Sequence, residues 1–176
     1  MVEGTKACSN KMNSDFCTAA FFGNTQRVIS LLDRKVDVHT CDPDSRYDDK
    51  PDNALRWAAR RGHIATVRVL LKAGSNVHAS GCDGFKDFAL RWAANGGHAE
   101  IVRTLIDHQA DVHACGAPSE GKLPDDALYR AASNGHAETV RVLLARKADV
   151  HARGPYSEGE RPEYAFRCAA FQGHAE

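Results

Sequence analysis

The sequence predicts an all-α fold, in which helix–turn–helix units stack into a solenoid and long loops connect successive units. Three observations support this prediction: a ten-residue segment that recurs, an apolar stripe with helical spacing that follows it, and the position of every proline between the predicted helix pairs. A single unit of this kind cannot bury its own apolar face, so it becomes stable by stacking on its neighbours. The chain of 176 residues is long enough for several such units.

The recurring segment predicts the first helix of each unit. It contains an Ala-Ala pair and ends in Gly-His, and the small alanine side chains allow neighbouring units to approach closely. The glycine ends the helix, where a left-handed residue is needed before the chain reverses. The copies occupy residues 54–63, 89–98, 127–136 and 165–174, and a weaker copy occupies residues 16–24.

An apolar stripe predicts the second helix of each unit. Val67, Leu70 and Leu71 have the spacing of one helical face, and the same pattern returns in the next two units. The prolines all lie in the connectors between helix pairs, where they cannot interrupt a helix. They are Pro43, Pro51, Pro118, Pro124, Pro155 and Pro162.

These motifs resemble the ankyrin repeat, whose pattern combines Ala-Ala, Gly-His, Leu-Leu and Ala-Asp-Val. The resemblance implies an N-terminal tail at residues 1–13 and an ankyrin repeat domain at residues 14–176. The predicted units are a capping repeat at about 14–41, repeats at 42–80, 81–115 and 116–153, and a partial repeat at 154–176. Because the last unit lacks its second helix, we expect an open apolar face there. We expect either that the array is truncated at this point or that this face docks onto another molecule.

The chain departs from the family pattern in two ways. Ala-Leu-Arg variants replace the family's Thr-Pro-Leu-His turn, so its Thr–His hydrogen bond is missing, and Arg56, Arg91 and Arg167 are expected to bridge neighbouring repeats instead. This variant is similar to repeats that are abundant in giant DNA viruses. The connectors are also longer than the family's, which implies long hairpin or loop fingers between repeats. The predicted finger tips are Tyr47, Phe85, Leu123 and Tyr156.

Charge and motif content argue against several functions. The 23 basic residues balance the 23 acidic ones, so no long-range attraction to nucleic acid or to a membrane is expected. The absence of a signal peptide or an apolar span predicts an intracellular protein, cytoplasmic or nuclear, or inside a host cell, with reduced cysteines. Common catalytic motifs are absent, which predicts no enzyme activity and no cofactor. Exposed ion pairs with helical spacing are predicted at Glu100–Arg103 and Glu138–Arg141.

Nine histidines raise the question of a metal site. Equivalent positions on stacked helices lie about 8–10 Å apart, whereas zinc holds nitrogen ligands at about 2.0–2.1 Å, so no metal is expected. The resemblance implies a structural role for the histidine after each glycine: His63, His98, His136 and His174. A second series consists of His39, His78, His113 and His151. The resemblance implies that these histidines are targets of an asparaginyl hydroxylase that also modifies histidine. The alternative, which the residues themselves favour, is that histidine occupies a turn here because it tolerates left-handed geometry.

The resemblance also implies a partner protein in the groove between the fingers and the first helices. There the two residues after each Ala-Ala vary while the scaffold residues repeat, which is typical of a binding surface on a rigid frame. Arginine and aromatic side chains are favoured because they dominate interface energetics. The predicted contact residues are Arg60, Arg61, Asn95, Ser133, Asn134, Phe22, Tyr47, Phe85 and Tyr156. For Phe22, packing within the capping repeat is an equal alternative.

Two functions stay open at this point. The sequence favours a non-catalytic scaffold that binds another protein of unknown identity, monomeric unless the open C-terminal face docks. The alternative is the targeting or substrate-recognition part of a larger enzyme or ubiquitin-ligase adaptor. An additional domain in the full reading frame would distinguish the second function from the first.

Overall fold

The computed structural model describes residues 3–40, 53–80, 87–114 and 127–149. Within these ranges the chain forms eight α-helices and no strand. The helices are α1 (Glu3–Phe21), α2 (Thr25–Asp33), α3 (Asn53–Arg61), α4 (Ile64–Lys72), α5 (Phe88–Asn95), α6 (Ala99–Asp107), α7 (Ala127–Ser133) and α8 (Ala137–Ala145). Helix α1 begins at Glu3, so most of the segment that the sequence assigned to a tail is helical. The division of the chain into repeats stays a prediction.

The helices form two parallel rows. The first helices of the units stack in the order α1, α3, α5 and α7, and the second helices stack in the order α2, α4, α6 and α8. Each first helix also packs on the second helix of its own unit. This arrangement confirms the predicted all-α solenoid. The connectors for which long fingers were predicted, and the residues of the partial last repeat, lie outside the described residues.

The core follows the repeated motif. The alanine pairs of α3 and α5 are fully buried between neighbouring first helices, where their small side chains let the backbones approach closely. Val67 and Leu70 of α4, with Val102 and Leu105 of α6, are fully buried in the second row. Each buried Val or Leu side chain stabilises the fold by about 1.5–3 kcal/mol relative to an exposed one. One continuous apolar core therefore joins the four helix pairs.

The chain reverses direction through left-handed residues at two places in each unit. The glycine before the second helix is one of them, with φ between 69° and 83° at Gly23, Gly62, Gly97 and Gly135. The other follows the second helix, at Lys35, Gly74, Gln109 and Lys147. His39, His78 and His113 do not have positive φ, so the prediction of left-handed geometry at these histidines is wrong. The left-handed residue that follows each second helix lies four residues before the histidine, at Lys35, Gly74 and Gln109.

Candidate partner-binding face

A histidine at the start of each later second helix connects it to the preceding unit. The Nε2–H of His63 donates to the carbonyl oxygen of Phe21 at 3.0 Å, and that of His98 donates to the carbonyl oxygen of Arg60 at 3.1 Å. His136 bonds Asn95 in the same way at 3.0 Å. The bonds satisfy carbonyl groups near the ends of the first helices, which helix geometry leaves without a partner. The predicted structural role is therefore confirmed for these three histidines, while His174 lies outside the described residues.

The second histidine series occupies a repeated turn. The backbone N–H of His39 donates to Asp37 Oδ1, as His78 does to Asn76 and His113 to Asp111, each at 2.9 Å. A carboxylate or amide two residues earlier therefore holds the backbone in an Asx turn. All three side chains are exposed. Hydroxylation of these histidines stays a prediction, and His151 lies outside the described residues.

The side chain of His78 contacts a buried carboxyl group. Its Nδ1–H donates to Asp87 Oδ1 at 2.8 Å, and only 1% of Asp87 is exposed. Burial raises the pKa of Asp87, although the charge and the hydrogen bond of His78 oppose this effect. Asp87 has φ of 50° and precedes α5, so this contact ties the turn of one unit to the first helix of the next.

Arginine and aromatic side chains alternate along the exposed side of the first helices. The guanidinium carbon of Arg60 lies 4.1 Å from the ring centre of Trp92 and 5.3 Å from that of Trp57. Arg61 lies 4.1 Å from the ring centre of Phe21, and Arg130 lies 5.2 Å from that of Trp92. We call this row the arginine–aromatic strip. It comprises Phe21, Trp57, Arg60, Arg61, Trp92 and Arg130.

A large apolar side chain is exposed at the N-terminal end of the strip. Phe22 is 71% exposed and contacts Phe21 edge to face, with 5.0 Å between ring centres. Phe21 in turn packs edge to face on Trp57 at 5.1 Å. The two phenylalanines therefore have different roles. Phe21 is part of the packing between units, whereas most of Phe22 is open to solvent.

The other predicted contact residues form a polar network at the opposite end of the strip. Asn95 Oδ1 accepts hydrogen bonds from Arg130 at 3.2 Å and from Asn134 at 3.3 Å. Asn134 also donates to the carbonyl oxygen of Arg130 at 2.8 Å, and the hydroxyl of Ser133 donates to the same oxygen at 3.2 Å. These side chains therefore connect α5 with α7, and Asn134 remains exposed. The contact role predicted for them stays a prediction.

Some members of this face were not predicted from the sequence, and some residues that were predicted lie outside the described residues. Trp57, Trp92 and Arg130 belong to the strip but were not predicted as contact residues. Their signal was helical spacing, since each lies one turn before the variable positions that follow Ala-Ala. Three predicted anchors fall outside the described residues: Tyr47, Phe85 and Tyr156.

The arginine of the Ala-Leu-Arg variant is buried at both described positions, Arg56 and Arg91. The guanidinium carbon of Arg56 lies 4.7 Å from the ring centre of Trp57 and 5.2 Å from that of Phe88, which begins the first helix of the next unit. Arg91 lies 5.4 Å from the same Phe88 ring, which belongs to its own helix, so its predicted bridge to a neighbouring repeat stays a prediction. Arg56 thus contacts the neighbouring unit as expected, whereas Arg167 lies outside the described residues.

Three arginines in or directly after the second helices pair with carboxylates of α6 and α8. The pairs are Arg68–Glu100 and Arg146–Asp107, both at 2.7 Å, and Arg141–Glu138 at 3.1 Å. The predicted Glu138–Arg141 pair is confirmed. The predicted Glu100–Arg103 pair is wrong, because stacking of α4 on α6 brings Arg68 to Glu100 instead. Such exposed pairs contribute at most about 1 kcal/mol each.

In the described part of the chain, no group of three or more His, Cys, Asp or Glu side chains is arranged to hold a metal ion. No helix in these ranges has the length and apolar character needed to cross a membrane.

Comparison with protein families agrees with this geometry. A family model described as ankyrin repeats, in three copies, matches residues 16–115 and again residues 77–154. Together the two matches extend from α1 beyond α8, which is more than half of the chain. Ankyrin repeats are generally modules for protein–protein interaction. The chain belongs to the ankyrin repeat family.

Proposed function

We propose that this chain is a non-catalytic scaffold that binds a partner protein in the groove formed by its first helices and fingers. The observation that carries the proposal is the arginine–aromatic strip. Arg60 and Arg61 are exposed, and neither forms an ion pair with a carboxylate of the described residues. Aromatic and arginine side chains are the residues that most often dominate interface energetics.

The contrast between the two rows of helices supports the choice of this face. Arg68 and Arg141 on the second helices pair with glutamates, so these two charges are less available to a partner. Arg60 and Arg61 on the first helices rest on aromatic rings. This packing restricts the two long side chains before binding, which lowers the entropy lost when a partner engages them.

The test is charge reversal on each row. An Arg60→Glu/Arg61→Glu variant is compared with an Arg103→Glu/Arg141→Glu variant, which changes the net charge equally on the second helices. A partner is first identified by affinity capture and mass spectrometry, and its affinity for each purified variant is then measured by calorimetry. We expect the first variant to lose at least about tenfold in affinity and the second to bind like wild type. Equal affinities for both variants would refute the groove assignment.

The proposal includes an intracellular location and a partner from a host cell. Its support is the resemblance of the Ala-Leu-Arg variant to giant-virus repeats. Immunofluorescence with an antibody against this chain tests the location, and a signal confined to the medium or to a cell surface would contradict it.

A further inference from the structure

Arg60 and Arg61 form a positive site at the C-terminal end of α3. Burial lowers the pKa of Arg60, and the charges of Arg61 and Arg130 lower it further, because each of these two cations lies close enough to repel the charge of Arg60. Among the described residues, no carboxylate forms an ion pair with Arg60 or Arg61. This concentration of positive charge contrasts with a whole chain whose formal net charge is zero.

The aromatic rings orient these guanidinium groups. Trp92 lies 4.1 Å from the guanidinium carbon of Arg60, and Phe21 lies 4.1 Å from that of Arg61. A ring covers one face of a planar guanidinium and leaves its N–H groups directed outward, where they match the two oxygens of a carboxylate. Neither Arg60 nor Arg61 uses these N–H groups for a hydrogen bond to a side chain of the described residues.

An apolar side chain borders the positive site. Phe22 is 71% exposed and contacts the same Phe21 ring that lies beneath Arg61. A partner segment that contacts both the arginines and Phe22 needs negative charge over the arginines and an apolar side chain next to that charge. We propose that the arginine–aromatic strip binds an acidic segment of the partner protein, with carboxylates on Arg60 and Arg61 and an apolar residue against Phe22.

Nucleic acid fits the strip less well than an acidic peptide. The faces of Trp57 and Trp92 are already occupied by arginine, so they do not offer the open stacking platforms on which bases bind. Binding along a phosphate backbone depends on many basic contacts spread over a surface, whereas the strip concentrates its charge at one place. This inference rests on the proposed function and names the chemical class of its partner.

Fluorescence anisotropy with defined peptides tests the inference. The probe is a fluorescein-labelled, glutamate-rich peptide that carries one leucine, and its control is the same peptide with glutamine in place of glutamate. We expect only the acidic peptide to bind, and we expect its affinity to fall as salt is raised. The Arg60→Glu/Arg61→Glu variant should bind it at least about tenfold more weakly, and Arg103→Glu/Arg141→Glu should bind it like wild type.

A second variant keeps the test valid if charge reversal disturbs folding. Arg60→Gln/Arg61→Gln removes the charges without reversing them, and circular dichroism verifies that each variant is folded. The inference is overturned if the glutamine peptide binds equally, if no acidic peptide binds, or if a single-stranded oligonucleotide of equal charge binds more tightly. If the acidic peptide fails while a captured partner still depends on Arg60 and Arg61, the acidic class is wrong and the proposed function stands.

Discussion

The imidazole of His98 occupies the space that a side chain on Gly62 would need. A Cβ atom on Gly62 would lie 2.6 Å from Cε1 of His98, and the His98 ring is held there by its bond to the Arg60 carbonyl oxygen. The same relationship joins Gly23 to His63 and Gly97 to His136. The Gly-His motif therefore works between units, since the glycine of one unit receives the histidine of the next.

Gly62→Ala should destabilise the fold more than Gly74→Ala. Both glycines have positive φ, which costs an alanine about 1–2 kcal/mol. A Cβ on Gly74 meets no atom within 4 Å, whereas at Gly62 overpacking against His98 adds about 1–3 kcal/mol. Urea unfolding followed by circular dichroism measures both variants. In a His98→Ala background the extra cost at Gly62 should shrink, and an unchanged difference would contradict the proposed contact.

Gln109→Gly should stabilise the protein. Gln109 has φ of 72° at the end of α6, a geometry that glycine adopts without strain. We expect a gain of about 0.5–1 kcal/mol in the free energy of unfolding, because relief of strain outweighs the greater entropy of glycine in the unfolded chain. Gly74→Gln is the reverse exchange at the equivalent position of the preceding unit, and it should lose stability. A loss for both exchanges would show that Gln109 makes a compensating contact.

Thr66→Val and Thr139→Val should have opposite effects, although both residues are fully buried at equivalent positions. The hydroxyls of Thr66 and Thr25 form a hydrogen bond at 2.8 Å, while the Thr139 hydroxyl has no hydrogen-bond partner among the described residues. A buried hydroxyl without a partner costs about 1–3 kcal/mol, so its removal should stabilise the fold. Loss of the Thr66 bond should cost about 1 kcal/mol. Chemical unfolding measures the free energy of unfolding of both variants. Equal losses of stability would refute the predicted difference between the two sites.

Asp87→Asn should change how stability depends on pH. Burial raises the pKa of Asp87 above its ordinary value of 3.8 in the folded chain, with His78 and Asp111 as its charged neighbours. The folded protein therefore holds this proton more tightly than the unfolded chain. Its stabilising effect is present below about pH 4 and is lost as pH rises through the raised pKa.

Wild type should consequently lose stability relative to Asp87→Asn as pH increases from about 4. Asparagine has the same shape and also tolerates the left-handed backbone of this position. Urea unfolding at a series of pH values measures the difference between the two proteins. Asp37→Asn, at an exposed aspartate, controls for the general effect of losing one carboxylate. A difference that stays constant with pH would argue against a raised pKa at Asp87.

The sequence by itself determined the paired helices of each described unit, the glycine turn between them and the buried surface. These depend on local chemistry: the spacing of apolar residues selects the buried face of a helix, small alanines permit close stacking, and glycine adopts positive φ at Gly62. It also indicated Arg60 and Arg61 as exposed contact candidates, because they occupy positions that vary from repeat to repeat, whereas for Phe22 it left exposure and packing as equal alternatives.

Only the tertiary structure decided which side chains meet across units. Arg60 lies over Trp92, and His98 faces Gly62. Glu100 pairs with Arg68 and not with Arg103. Each of these contacts joins different units. Helical spacing describes neighbours within one helix. Contacts between stacked helices depend on the offset between them and on the reach of long side chains, which only the packed array defines.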